Sequence, residues 1–563
     1  MNPALNEAAE AYRAALKEGR RFVAEQNAAG RSGLLPVFEP KETCGDVPLG
    51  LIELPIKKIR GTYAAGRSHA LSGSFMPLLG EDSEFSGKWK ALYASALEKG
   101  ITEPIRAFEY MGYCYVLEGH KRVSAASVLS NYSLSASVTR LMPPPGGETA
   151  EAAVFLELLG GNKQKVIRHM WFSVPGRFTE LRGLCGGDET LLEDAFAAFR
   201  AVYHKRGFNQ ALPDITTGDA FWQYAKLYGL PAGENEAALS KKAALCRPQW
   251  ESLSCPEPVR TVSGPDGAVS KPLFYIPRGA PPSVTFAYCV PPQSAASAEA
   301  HEAGRFALRR AFPEIVTQSA EGLSPDVPGD VIFATHPALS DAALRTALEQ
   351  KNKLVMLCRD EPAGFVSTYH IKTEEAAFLM GVLAGSLSKA ARIGCLYLPH
   401  ELGGLGENLQ ALACGASAAR PASHIFMARA DDPGAFTRMA ERGVDIIAMP
   451  QAPYGVSPAP KAFPGVCARL CELSGGGIVQ DMLAAAAWHW GAFYEKFIRS
   501  VVEGGFPSDS LHIKMGLDSG ALDIHLTARA ARAKHCLAAF RQALMSGLLA
   551  PADENNPVEI YEV

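Results

Sequence analysis

The chain has 563 residues, more than one hydrophobic core can organise, so about two to four domains are expected. Hydrophobic residues make up 47% and charged residues 20%, the balance of an ordinary globular protein. A net charge of −4 argues against broad electrostatic attachment to nucleic acid or to anionic membrane.

Residues 1–44 open with a charged amphipathic helix, MNPALNEAAEAYRAALKEGRRFVAEQ, which lacks the apolar core of a secretory signal. No apolar run approaches the ~20 residues of a membrane span. An α+β unit is expected over 45–145. It begins with a strand, LIELPIKKIRGT, and continues into a helix striped with Trp89, Leu92, Tyr93, Ala96 and Leu97. It closes with a strand, SLSASVTRLM, before the break Pro143-Pro144-Pro145-Gly146-Gly147. Inside it, Ile105, Ala107, Phe108, Tyr113, Tyr115 and Leu117 mark two short strands across a turn at Met111-Gly112. The chain then runs through Glu118-Gly119-His120-Lys121-Arg122 into a helix. Such a junction suits an anion: the first helical turn offers N–H groups, glycine allows close approach, and Lys and Arg add charge-assisted bonds. An ordinary basic first turn accounts for the spacing equally well.

Residues 146–254 read as helices dense in aromatics such as Trp171, Phe199 and Tyr224, a helix-packing spacer in which Thr217-Gly218-Asp219 supplies one N-cap. A Pro/Ser/Gly-rich linker is expected over 255–282. From 283 to 550, strands of buried type (VTFAYCV, DVIFAT, KLVMLC, RIGCLYL, HIFMARA, VDIIAMPQ) alternate with helices, the pattern of parallel sheets covered on both faces. Two lobes with ligand at the strand C-termini are expected there, followed by a tail over 551–563. The twelve cysteines lack paired spacing, and the nearest pair, Cys467 and Cys471, has no histidine at ligand distance. Reduced thiols in a cytoplasmic protein are expected, with no metal site.

The strand pair and the run YVLEGHKRVSAA resemble the ParB-like nucleotide-binding fold, whose Gly-x-(Arg/Lys)-Arg-x-x-Ala box grips nucleotide phosphates. Gly119, Lys121, Arg122 and Ala125 stand at the box positions, and His120 replaces the usual acidic residue. The resemblance implies a phosphate pocket of Glu118, Gly119, His120, Lys121 and Arg122, with Arg67, after Gly66, as a further contact. The pocket would hold a nucleoside triphosphate, with Mg²⁺ as a candidate companion, or another phosphorylated ligand. An enzyme acting there would need Mg²⁺ held by an acid, which Glu118 or the Glu81-Asp82-Ser83-Glu84 loop could supply. Sulfiredoxin shares that fold but needs a cysteine inside the box; Cys114 lies on the strand instead.

Farther along, HEAGRFALRRAF, STYHIKTEEAAFLMGVLAGSLSKAARIG, ENLQALACGASAARPASHIFM, WHWGAFYEKFIRSVVEG and MGLDSGALDI resemble the basic-membrane-protein family. These are periplasmic-type solute-binding proteins, many of them nucleoside receptors of ABC importers. The resemblance spans about Ser283 to Leu549 and implies a two-lobed type I fold with a cleft near Tyr288, Gln293, Ser294, Asn408 and Trp490. The family's ribose-binding acids are missing: Val290-Pro291-Pro292-Gln293-Ser294 follows the first strand and Gly465-Val466-Cys467-Ala468 stands at the later position. Ala428-Arg429 replaces the stacking aromatic. The fold carries over; the nucleoside does not.

No G-x-x-x-x-G-K-[ST], H-E-x-x-H or G-x-S-x-G occurs, and no nucleophile–base–acid set can be assembled. Gly403-Gly404-Leu405-Gly406 reads as a surface loop, with close backbone approach to a ligand as the alternative. His370 and His489 read as structural histidines, with ligand contact or a role as base as the alternative. Trp488 and Trp490 flank His489; on one helix they would face about 200° apart. The expected protein is α/β and multidomain: a ParB-like α+β domain, a helical spacer and a two-lobed periplasmic-binding-protein-like domain. It would act as a ligand sensor or regulator, coupling a small-molecule cleft, nucleoside-like compounds among its candidates, to a nucleotide pocket. The alternatives are a nucleotide-hydrolysing or phosphotransfer enzyme at that pocket, and a substrate-binding component of an ABC transporter.

Overall fold

The computed structural model describes residues 3–38, 43–144, 149–165, 170–254, 260–264, 281–397, 405–429, 431–449, 466–469, 483–504, 510–552 and 558–562. They fall into two compact units, Met1–Ala243 and Ala244–Val563. Among the described residues no helix is long and apolar enough to cross a membrane. The nine described cysteines are all free thiols, and the Cys467 and Cys471 side chains lie outside the described residues.

The first unit begins with α1 (Pro3–Ala28), β1 (Asp46–Pro55), β2 (Ile59–Thr62) and α2 (Glu84–Lys99). The hairpin β3 (Ile105–Tyr110) and β4 (Tyr113–Glu118) follows, then α3 (His120–Val128) and β5 (Ser133–Leu141). The five strands make one mixed sheet in the order β1-β5-β3-β4-β2, with β1/β5 and β3/β4 antiparallel and β3/β5 and β2/β4 parallel. Burial alternates along β3 and β4, as the apolar spacing requires of strands with one covered face. Trp89, fully buried on α2, meets Tyr12 of α1 edge-on at 5.3 Å and donates its indole N–H to Ser124 of α3 at 2.9 Å. One side chain thus fixes three helices against the sheet.

Six helices complete this unit and lead into the next: α4 (Ala150–Leu159), α5 (Arg177–Leu184), α6 (Glu189–Lys205), α7 (Phe208–Ala211), α8 (Thr217–Tyr228) and α9 (Glu236–Ser254). The helical stretch is tied to the sheet rather than merely following it. Arg140 on β5, 1% exposed, pairs with Glu109 on β3 and donates to the Lys163 and Lys165 carbonyls at 2.7 and 2.9 Å.

In the second unit, β6 (Arg260–Ser263), β7 (Val284–Tyr288), α10 (Ala296–Ala311), β8 (Thr317–Glu321), β9 (Val331–Ala334), α11 (Ser340–Glu349), β10 (Leu354–Cys358) and β11 (Ser367–Ile371) come first. Next are α12 (Thr373–Leu387), β12 (Arg392–Tyr397), α13 (Leu405–Ala419), β13 (His424–Arg429), α14 (Ala435–Glu441), β14 (Ile446–Met449) and β15 (Val466–Arg469). The last are β16 (Ala484–Trp488), α15 (Trp490–Val502), β17 (Leu511–Met515), β18 (Leu522–Leu526), α16 (Lys534–Met545) and β19 (Ile560–Glu562). A seven-stranded parallel sheet has the order β6-β17-β11-β10-β9-β7-β8, and a five-stranded parallel sheet the order β15-β14-β12-β13-β19. β16 and β18 form a separate antiparallel ribbon. The chain therefore passes between the two sheets three times: after β11, between β15 and β17, and between β17 and β19.

The expected parallel sheets are present, and the strands the sequence hid have physical reasons for it. β8, TQSAE, is a polar edge strand; β16, AAAAW, has no β-branched residue; β6 lies in the stretch read as linker. α12 joins the sheets and is buried from Ala376 to Gly385. It packs on α13 at backbone distance, since a Cβ on Gly381 would sit 2.0 Å from the Leu412 carbonyl and one on Gly415 2.0 Å from that of Phe378. The helical reading of Trp488–Trp490 needs correction: Trp488 ends β16, His489 caps α15, and Trp490 begins it.

Candidate functional site

The β4–α3 junction gathers the first group of candidate side chains. Gly119 caps α3 with φ at 102°, and a Cβ there would lie 2.7 Å from Ile105 Cγ2, so the position needs glycine both for its turn and for its space. A cavity of about 300 Å³ opens beside it, lined by Phe85, Glu103, Glu118 and the run Gly119–Arg122. That is the lower end of the size range of ligand pockets.

Each basic residue of the run has a distinct setting. Lys121 lies with Nζ 5.2 Å over the Phe85 ring. Arg122, about one-fifth exposed, pairs with Glu103 and donates Nη1 to the Pro104 carbonyl at 3.1 Å. His120 is buried and pairs through Nε2 with the Thr62 hydroxyl at 2.8 Å, bracing the junction against β2. Glu118 stands 3.6 Å from Arg106 on the exposed side of the hairpin. Arg67 ends a short 3₁₀ turn, Ala65–Arg67, and its side chain lies outside the described residues. Cys114 is buried on β4, and burial pushes its thiol up to about 12, so it carries no thiolate chemistry at neutral pH.

Glu103 is the residue the sequence did not single out. It enters the cavity two residues ahead of β3, where it pairs with Arg122 in the first turn of α3. With Glu118, it puts two carboxylates in the same cavity as Lys121 and Arg122. The other suggested acids are engaged elsewhere: Glu81 stands 3.8 Å from Arg13, and Glu84 pairs with Lys88.

In the second unit, the predicted cleft residues separate. Tyr288 is buried and donates its hydroxyl to Glu302 at 2.9 Å, and Glu302 holds Arg305 as well. Burial, with Glu302 beside it, drives the Tyr288 phenol well above its usual range. Trp490 is buried and stacks on His301 at 4.2 Å; Asn408 is buried on α13. Gln293 and Ser294 lie exposed in the turn after β7. The Gly403-Gly404 pair and the Gly465 position lie outside the described residues.

What the structure assembles instead is a charged group at the carboxyl edge of the seven-stranded sheet, where ligands of open α/β sheets bind. His370 on β11 is the register neighbour of Lys514 on β17, and both face Asp360, two residues beyond β10. The distances are 3.5 Å from Asp360 to His370 Nδ1 and 3.2 Å to Lys514 Nζ. Burial holds the His370 imidazole below its ordinary range against the pull of Asp360. Burial is the strongest single influence on the Lys514 ammonium and lowers it, but Asp360, with Glu374 and Glu407, outweighs it and the net shift is upward. Glu374, at the start of α12, is raised by burial. A second cavity of about 350 Å³, lined in part by Leu354, Ser367 and Ser510, opens at the opposite, amino edge.

No protein-family profile matches the sequence, and no curated protein matches it significantly. Solved structures similar to it include an ABC transporter solute-binding protein from Conexibacter woesei, 16% identical, with a TM-score of 0.38 over 48% of this chain and 97% of that one. Another is an ABC transporter solute-binding protein from Aeropyrum pernix, 15% identical, with a TM-score of 0.36 over 49% and 95%. A transcriptional activator of the comK gene from Bacillus halodurans is 12% identical, with a TM-score of 0.39 over 48% and 99%.

Proposed function

We propose that this protein binds two small ligands: a nucleotide, held by its phosphates at Gly119–Arg122, and a polar metabolite, held at the carboxyl edge of the seven-stranded sheet. The observation that carries the first half is the cavity of about 300 Å³ at the start of α3, which brings the first helical turn together with Lys121 and Arg122. The resemblance of YVLEGHKRVSAA to the ParB-like box supports the same reading. The second half rests on Asp360, His370, Glu374 and Lys514, which gather at the edge where crossover connections leave a sheet open. The basic-membrane-protein-like order of segments over 283–549 is consistent with such a site. A cytoplasmic setting belongs to this reading, on the strength of the cysteines, and is tested by counting free thiols in protein taken directly from cells.

Two carboxylates in the phosphate cavity favour one second reading, hydrolysis or transfer of a nucleotide phosphate with Mg²⁺ held by Glu103 and Glu118. Thermal unfolding of the full chain with CTP, ATP, GTP and nucleosides, with and without Mg²⁺, separates the possibilities. A nucleotide at tens of times its Kd should stabilise by about 2 kcal/mol. Stabilisation that needs Mg²⁺ and is followed by release of inorganic phosphate supports the enzyme. No response to any nucleotide removes both readings of the pocket.

A further inference from the structure

The β16–β18 ribbon brings together three metal-ligating side chains that neither proposed ligand uses. The antiparallel register sets Ala487 opposite Asp523 and Ala485 opposite His525, so Asp523 and His525, two apart on β18, share one face. His489 follows Trp488 at the end of β16, and its N–H donates to the Ala521 carbonyl at 2.7 Å, extending that alternation by one more pair. The residues opposite are alanines, whose side chains bring no ligand atom and take little room beside the three. A ligand atom from each of His489, Asp523 and His525 lies within 4.8 Å of the other two.

We infer that His489, Asp523 and His525 form a binding site for a divalent transition-metal ion of the zinc class. Ligand atoms each about 2.1 Å from a shared ion stand roughly 3–4 Å apart, so the observed spacing closes with small side-chain rotations. The two imidazoles stand edge to face, with rings 87° apart and centroids separated by 6.1 Å, and are not stacked on one another. The carboxylate is already oriented: Asp523 Oδ1 accepts from Arg541 Nη1 at 2.5 Å and from the Ile524 N–H at 2.9 Å. Both bonds fall on Oδ1, which directs Oδ2 to an ion, and such outer-shell donors commonly fix a ligating carboxylate. Two imidazoles select against Mg²⁺ and Ca²⁺, which prefer oxygen donors. Three protein ligands leave a position for water or for a ligand atom, and His489 is exposed to solvent.

The test uses the full chain without an affinity tag, stripped with chelator and titrated with Co²⁺ and Zn²⁺ alone. One equivalent of Co²⁺ should give the visible absorption of a nitrogen-and-oxygen site, and Zn²⁺ should displace it while Mg²⁺ does not. Removing one ligand should weaken binding by about a hundredfold, at least the loss seen on removing an outer-shell partner. His489→Ala is the first variant, since its exposed side chain can be removed with the fold intact; His525→Ala and Asp523→Asn follow, each checked by its thermal unfolding. Failure of the wild type to bind Co²⁺, or equal binding by the wild type and His489→Ala, would overturn the assignment.

Discussion

At the β4–α3 junction, the charged residues are consecutive in the chain and meet in one cavity; at the carboxyl edge of the seven-stranded sheet, Asp360, His370, Glu374 and Lys514 arrive from separate segments. The first group is built by a helix start, with Arg122 held by Glu103 near the surface. The second exists only because β10, β11 and β17 are neighbours in a parallel sheet. A local site should therefore tolerate damage elsewhere in its sheet less through lost contacts than through lost stability, whereas a dispersed site depends on the packing that assembles it.

The sharpest break in that comparison is the buried Arg140–Glu109 pair in the sheet that carries the first site. Arg140→Met leaves Glu109 buried without its cation and should cost about 3–5 kcal/mol in urea unfolding. Replacing both by apolar residues should recover part of that loss; if the double variant is no better than Arg140→Met, the pair is not what holds β3 to β5.

Gly415→Ala attacks the scaffold of the second site, because its methyl would overlap the Phe378 carbonyl on α12. Overpacking of this kind should cost about 3 kcal/mol, seen as a lower midpoint for the second unit. An unchanged midpoint would mean that α12 and α13 can separate without cost.

Acid should unfold the second unit by way of His301. This imidazole is buried against Trp490 and Tyr494, and burial holds its pKa at about 3, below the ordinary 6.5. Between those two values the unfolded chain binds a proton that the folded chain refuses. Stability therefore rises with pH across that window, by about 1.4 kcal/mol per pH unit for one such group. Burial lowers His336, His370 and His512 in the same direction. His301→Phe should remove one proton's share of the slope between pH 6.5 and 5; an unchanged slope would assign the acid sensitivity to the others.

The smallest effect expected is at Glu103. It is largely exposed, so Glu103→Gln should change stability little while freeing Arg122, and nucleotide affinity without Mg²⁺ should rise by about 1 kcal/mol or less. Titration calorimetry resolves that difference. Weaker binding would make Glu103 a positioning group for Arg122 instead of a competitor for it.

How much of this was legible follows from the same contrast. The strands VTFAY, VIFA and LVMLC announce themselves because both faces are buried, and the β4–α3 junction because its glycine and bases are adjacent. Glu103 was hidden by its distance along the chain from Arg122, and Asp360 and Lys514 by theirs from His370. Tyr288 and Trp490 looked like cleft residues because large aromatics with polar tips suit both a pocket and a core; Glu302 and His301 commit them to the core. His489 read as structural because Asp523 and His525 come near it only through the pairing of an alanine-rich strand.

The most direct test of the phosphate site is calorimetric titration of the wild-type chain and of Lys121→Ala with CTP, ATP and GTP. Lys121 lines the cavity over Phe85, and loss of a charge-assisted bond to phosphate should cost about 2 kcal/mol or more, thirtyfold or more in Kd, with little change in the stability of the unliganded protein. Saturable binding of at least one nucleotide by the wild type, lost in Lys121→Ala, is the predicted result. Absence of binding by the wild type, or equal binding by both, would contradict it and leave the junction an ordinary basic helix start.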